Sequence, residues 1–133
     1  MISTRGRYAL RILIDLALHS DTGYIPMKNA AARQGISLKY LERILPLLSE
    51  AGYIEGLHGK GGGYRLCRKP EDIAVGGILR LTEGNDLAPV ACLGECDAPC
   101  ERAASCPTLE MWKGFHTLTK DYFDGITLAD LMK

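Results

Sequence analysis

The chain is 133 residues long, 47% hydrophobic and 24% charged, which suits one domain with a buried core. Sixteen basic residues cancel sixteen acidic ones, but unevenly: residues 1–66 carry nine against five, and residues 67–133 seven against eleven. Only the first half is therefore a candidate nucleic-acid surface. No stretch is long enough to span a membrane, and Arg11 and Asp15 break the apolar run that follows Arg5 and Arg7, with no small-residue cleavage site beyond it. A secretory signal is rejected on that pattern, and a cytoplasmic protein is expected. In that reducing compartment five cysteines, an odd number, point to free thiols, metal ligands or redox sensors rather than to a disulfide framework.

Residues 4–19 predict a helix capped by Ser3 or Thr4, with Ala9, Ile12, Leu13, Leu16 and Ala17 on one apolar stripe. Leu10, Ile14 and Leu18 form a second stripe, so this helix needs burial on two sides, one of them against another subunit. Asp15 with Arg11 reads as an ordinary helix pair. Residues 26–34 predict a short helix opened by Pro26 and followed by Gly35. Ser37 then caps a third helix with Leu38, Leu41, Ile44, Leu45 and Leu48 on one side and Lys39, Glu42 and Arg43 on the other. Two short helices joined by a glycine-containing turn are a helix-turn-helix pattern. Pro46 removes a hydrogen bond to the Glu42 carbonyl, so a kink rather than a break is expected there.

Two β-prone runs around Gly59-Lys60-Gly61-Gly62-Gly63 read as a hairpin, and a hairpin directly after a helix-turn-helix is a wing. Residues 71–84 predict another helix, and residues 85–106 a loop. Pro107 suits the first position of a long helix reaching about Phe123, with Leu109, Trp112, Phe115, Thr119 and Tyr122 on one stripe, a plausible dimer seam. Thr127 and Asp130 have the spacing of a capping box for a last short helix. The expected fold is mainly α with a small β-hairpin wing: a winged helix-turn-helix DNA-binding region over residues 1–66, then a cysteine loop and a long C-terminal dimerisation helix over 67–133, all in one compact unit.

In a major-groove reading, Lys39 and Arg43 donate to guanine edges or phosphates and Glu42 accepts from a cytosine amino group. Ser37 and Tyr40 stand on the same helix start, and His58 and Lys60 belong to the wing, whose glycines let the backbone approach the duplex. The plain alternative is that these charges are a solvated face. No Ser/His/Asp arrangement, strand-led phosphate loop or paired carboxylates is found, so an enzyme is not expected. His19 and His116 read as structural.

Cys92, Cys96, Cys100 and Cys106 fall within fifteen residues of a loop containing Gly94 and Pro99. Thiolates crowded in this way suit an iron–sulfur cluster or a soft metal. Intervening gaps of three, three and five residues do not match the paired Cys-x-x-Cys of a zinc ribbon, which ranks zinc second. Incidental thiols or a thiol switch are the alternatives. The helix following Cys106 would turn its N-terminal N–H groups toward the thiolates. Cys67, alone at the end of the wing, reads as a small buried hydrophobe.

The opening Ser3-Thr4-Arg5-Gly6-Arg7-Tyr8-Ala9-Leu10, the segment Ile36-Ser37-Leu38-Lys39-Tyr40-Leu41-Glu42, the wing Gly59-Lys60-Gly61-Gly62-Gly63-Tyr64-Arg65-Leu66 and the tail Ile126-Thr127-Leu128-Ala129-Asp130-Leu131 resemble the bacterial winged-helix regulators of the IscR, NsrR and CymR type. The resemblance spans the whole chain. It implies a homodimer on a palindromic operator of double-stranded DNA, with the third helix in the major groove and the long helices crossing between subunits. It further implies an iron–sulfur cluster, [2Fe-2S] or [4Fe-4S], held by Cys92, Cys100 and Cys106. Leu109 stands where the IscR type has a histidine ligand, and Tyr8 where the NsrR type has a carboxylate. Cys96 is then the economical fourth ligand, and a ligand from the other subunit or a small thiol is the alternative. Members of the CymR type lack a cluster, and a metabolic enzyme partner is a further alternative for the signal.

Overall fold

A computed structural model describes residues 2–84, 87–94 and 100–133. Its helices are α1 (Thr4–Leu18), α2 (Met27–Gln34), α3 (Leu38–Glu50), α4 (Val75–Glu83), α5 (Leu109–Asp124) and α6 (Leu128–Leu131), with one hairpin of β1 (Ile54–Leu57) and β2 (Gly63–Leu66). Helix α1 starts where Ser3 Oγ accepts from the Gly6 amide at 3.3 Å. Its helical period puts Ala9, Ile12, Leu13 and Leu16 on one face, all wholly buried against α2, α3, β2, α4 and α6. Each such Leu or Ile contributes about 1.5–3 kcal/mol by leaving water. The second stripe, expected against another subunit, is met within the chain: Leu10 packs on the Val75, Leu79 and Leu87 cluster and Ile14 on the main core, while Leu18 stays exposed.

Helix α2 stops at Gly35, whose left-handed φ of 65° turns the chain so that Ile36 enters the core. Ser37 follows as the N-cap of α3, its side-chain oxygen accepting from the Tyr40 amide at 3.2 Å. Helix α3 runs on through Pro46 without a break, because Leu41, Ile44, Leu45 and Leu48 are all buried and hold both halves to the core.

In the hairpin Ile54 lies opposite Leu66 and Leu57 opposite Gly63. Two strands alone are marginal in water. Here Ile25 adds a rung: its N–H donates to the Tyr64 carbonyl at 2.8 Å, and its own carbonyl accepts from the Tyr64 N–H at 2.9 Å. Gly63 permits this approach, since its φ is 149° and a Cβ there would strike the Ile25 carbonyl.

The helix expected over 71–84 is shorter than its apolar pattern suggests. A 3-10 turn at Pro70–Asp72 and an extended Ile73 precede α4. The cause is backbone pairing with a distant segment: Val75 N–H donates to the Ile126 carbonyl at 2.8 Å and Leu128 N–H to the Ile73 carbonyl at 3.0 Å. Beyond Thr127 the capping box closes as expected, with Asp130 N–H on Thr127 Oγ1 at 3.2 Å and Thr127 N–H on the Asp130 carboxylate at 2.9 Å.

Helix α5 begins at Leu109, two residues after the expected Pro107, because residues 101–105 form successive turns and Thr108 makes the N-cap without a side-chain cap bond. It packs on α4, and the 2.8 Å ion pair between Arg80 and Asp124 ties the two helices together. Leu109, Trp112, His116, Thr119 and Phe123 are half-buried, whereas Met111, Phe115, Leu118 and Tyr122 form an exposed stripe. Only Phe115 and Tyr122 of the stripe expected as a dimer seam are on that exposed face.

Candidate nucleic-acid interface

The cap at Ser37 and the burial of Leu41 and Ile44 leave Ser37, Lys39, Glu42 and Arg43 exposed on the outer face of α3. The Ser37 hydroxyl accepts the capping bond and retains a proton to donate outward. Tyr40 differs from its neighbours on α3. It is half-buried and meets Tyr8 edge to face, with centroids 5.3 Å apart and planes at 77°, so it positions α3 against α1. Arg11 stands over the other side of this pair, 5.4 Å from the Tyr8 centroid.

Two shallow clefts flank Tyr40. One is lined by Ser37, Lys39, Tyr40 and Arg43, the other by Ser3, Arg5, Tyr40, Arg43 and Ile44. Arg5 is thus brought to the α3 face, whereas its sequence position marks it only as a charge before an apolar run. The signal for it was available in the arginines at the start of α1. At the wing tip His58 and Lys60 are both exposed, and the turn closes through the Gly62 N–H on the Gly59 carbonyl at 3.0 Å. The wing is stiffened by a cross-strand ion pair of Arg65 with Glu55 and by Arg65 stacked 4.5 Å from the Tyr24 centroid. Arg5, Lys39 and Arg43 give the clefts beside Tyr40 a positive lining, and the exposed Lys60 adds a positive charge at the wing tip.

Behind α3 lies an ion pair that sequence reasoning assigned differently. Asp15 does not pair with Arg11. Its buried carboxylate accepts from Arg33 Nη2 at 2.7 Å, Arg33 Nε at 3.0 Å and Gln34 Nε2 at 3.1 Å, with His19 Nδ1 3.7 Å away. Arg11 donates to the Gln34 side-chain oxygen at 3.3 Å instead. Burial alone would push the Asp15 carboxyl up, but the hydrogen bonds from Arg33 and Gln34, the positive charge of Arg33 and the nearby His19 ring outweigh it and hold it below its ordinary value. The pair locks α2 to α1 and so fixes the platform on which α3 sits.

The cysteine segment joins α4 to α5. Cys92 lies half-buried in a 3-10 turn, Ala91–Leu93, while Cys100 is exposed and Cys106 half-buried; Cys96 lies outside the described residues. Among the described residues no three His, Cys, Asp or Glu side chains gather as a metal site. The donor chemistry nonetheless suits a soft metal or cluster, because Cys92, Cys100 and Cys106 are all free thiols. Cys106 Sγ lies 3.4 Å from Thr108 Oγ1, and this contact, with the Thr108 and Leu109 backbone amides opening α5, holds its thiol below the ordinary value. Cys67 is a correction: it is exposed, not buried, because it lies one residue past the end of β2, with its N–H donating to the Tyr53 carbonyl at 3.0 Å.

At the other end of the segment, Glu83 closes α4 and reaches the start of α1. Its Oε1 accepts from the Ser3 N–H at 3.0 Å and from Ser3 Oγ at 2.7 Å. Residues 80 positions apart are thereby joined.

Residues 2–133 match the family model Rrf2, described as an iron-dependent transcriptional regulator. The chain is 41% identical over 132 residues to the protein rrf2 of Nitratidesulfovibrio vulgaris, a match covering 99% of this chain and 87% of that one. Among solved structures, IscR of T. potens superposes with a TM-score of 0.78 at 34% identity, covering 99% of this chain and 85% of its own. CymR (YrzC), the global cysteine regulator of B. subtilis, superposes with a TM-score of 0.79 at 35% identity, covering 99% and 95%.

Proposed function

The chain belongs to the Rrf2 family of DNA-binding transcription regulators, and from that membership we propose that it is a cytoplasmic homodimer reading a palindromic operator under the control of an iron–sulfur cluster. The observation that carries the DNA part is the exposed face of Lys39, Glu42 and Arg43 on a helix whose other face is buried. Helix α3 enters the major groove, the wing lies along the backbone through His58 and Lys60, and two copies place their α3 helices about 34–36 Å apart, one turn of the duplex. The exposed stripe Met111, Phe115, Leu118 and Tyr122 supports pairing of α5 with a second copy, since such a stripe is costly to leave in water.

Cys92, Cys100 and Cys106 would hold the cluster, with Cys96 as fourth ligand. When bound, such a group supplies a redox-labile tie whose integrity depends on oxygen, nitric oxide and iron supply. The chain's own contribution is mechanical. Restraining the segment between α4 and α5 fixes where α5 starts, and α4 in turn holds the start of α1 through Glu83 and Ser3.

A second reading is favoured by the likeness to CymR and by the dispersed positions of Cys92, Cys100 and Cys106: a cluster-free regulator switched by thiol chemistry or by a partner enzyme, with zinc as a further variant. Anaerobic purification with iron, sulfide and zinc quantified per chain separates the two. Iron and sulfide with visible charge-transfer absorption are expected; zinc alone or no metal would overturn the cluster and leave the second reading.

A further inference from the structure

We propose that Arg5 and Arg43 form a phosphate-binding pair beside Tyr40, and that Glu83 is its positioning residue, so that the DNA surface is joined directly to the helix leading into the cysteine segment. The inference rests on the DNA-binding reading and extends it to Arg5 and Glu83, which lie outside the helix-turn-helix and wing. Arg5 comes from α1 and Arg43 from α3, yet both line one open cleft with Ser3, Tyr40 and Ile44. Both are exposed at the surface. Two arginines lining one cleft are suited to a phosphate diester, since each carries a planar fork of N–H donors that can recognise two oxygens.

The position of Arg5 is set two residues earlier. Ser3 donates to Glu83 Oε1 through both its N–H and its hydroxyl, while its oxygen caps the Gly6 amide. Glu83 also packs over Gly6 so closely that a Cβ there would strike its carboxylate. The first turn of α1, which carries Arg5, is therefore pinned to the last residue of α4. Tyr8, one turn further on, holds α3 through Tyr40. A displacement of the α4 end reaches Arg5 through two hydrogen bonds and needs no change in α3.

The test measures binding of the full chain to two labelled duplexes, one of random sequence and one palindrome selected from a random pool by the wild-type protein, over a range of salt. Each phosphate contact contributes about 0.9 to the slope of log affinity against log salt. Arg5→Gln is expected to lower that slope by about 0.9 on both duplexes alike. Glu83→Ala should do the same, Glu83→Gln should behave as wild type because its amide oxygen still accepts from Ser3, and Glu83→Ala added to Arg5→Gln should change nothing further. An unchanged slope for Arg5→Gln while Lys60→Ala lowers it would overturn the pair and leave the DNA-binding reading intact. Additive losses in the double variant would reduce Glu83 to general support and overturn its positioning role. Salt-independent or absent binding by the wild type would overturn the DNA-binding reading itself.

Discussion

Asp15 of α1 accepts hydrogen bonds from Arg33 of α2 at 2.7 and 3.0 Å while only 1% of Asp15 is exposed. A carboxylate taken this far from water is tolerated only because its partners satisfy it, and losing one partner leaves the other stranded. The pair is therefore a joint between the first two helices, whose orientation determines where α3 is presented.

Asp15→Ala is expected to destabilise the fold by about 2–3 kcal/mol, less than a fully buried pair because Arg33 can turn to solvent. Urea denaturation reads this directly. The folded-state carboxyl is held below its unfolded value, so its stabilisation is full above about pH 3.9 and is lost as the pH falls through the lowered value. The acid limb of the stability profile should accordingly be flatter in Asp15→Asn. An Asp15→Ala protein as stable as wild type would refute the joint.

Gly63→Ala should cost of order 1–3 kcal/mol, since its φ of 149° is open to glycine and a Cβ would collide with the Ile25 carbonyl. Hydrogen exchange at the Tyr64 and Ile25 amides, bonded at 2.9 and 2.8 Å, should accelerate with it. Unchanged protection at both amides would mean that the wing does not depend on this close approach.

Lys60→Ala is expected to weaken operator and random DNA alike and to reduce the salt slope by about 1. Glu42→Ala should instead relax base preference, narrowing the gap between correct and altered operators by about 1–3 kcal/mol at the contacted base pair. Competition binding with single-base variants distinguishes them. Equal effects of Glu42→Ala on all sequences would remove it from base reading.

Cys106→Ala prepared anaerobically should retain less iron and sulfide per chain than wild type, and Cys67→Ala as much as wild type. Cys67 is exposed at the end of the wing, far in sequence from the other cysteines, and the slight desolvation of its sulfur, with the nearby Glu55, raises its thiol above the ordinary value. Equal iron loss in both variants would show that the grouping of thiols is wrong.

Leu118→Arg should give a monomer by light scattering with thermal stability close to wild type, because Leu118 is 68% exposed in the single chain and substitutions at such sites usually lie within about 0.5 kcal/mol. Affinity for a palindrome should fall with dimerisation, while affinity for a half-site should not. A Leu118→Arg protein that remained dimeric would place the seam elsewhere.

The parts of the fold that the sequence announced are those decided within a few residues. Ser3, Ser37 and the Thr127 and Asp130 box could be read as caps because an N-cap joins a side chain to an amide two or three positions on, and Gly35 as a helix end because its own backbone adopts the left-handed turn. The apolar periods of α1 and α3 named their buried faces for the same reason, and the glycine cluster marked the wing turn. The exposed charges of α3 followed from that period once the buried side was known.

Other features depended on the tertiary structure. Asp15 looked like the partner of Arg11 on its own helix, but the turn at Gly23 and the packing of α2 brought Arg33 closer. The helix expected from residue 71 begins at Val75 because Ile73 and Val75 pair with Leu128 and Ile126, and no local pattern records a partner that far along the chain. Likewise Cys67 is exposed although its residue type favours burial, and Arg5 of α1 lines a cleft with Tyr40 and Arg43 of α3, a juxtaposition made by helix packing. Periodicity, caps and turns are short-range free energies carried by neighbouring residues, so the amino-acid sequence by itself determined the helices, the wing and the family motifs. Pairings between distant residues form only where burial of the common core brings their segments together, and that was decided by the tertiary structure.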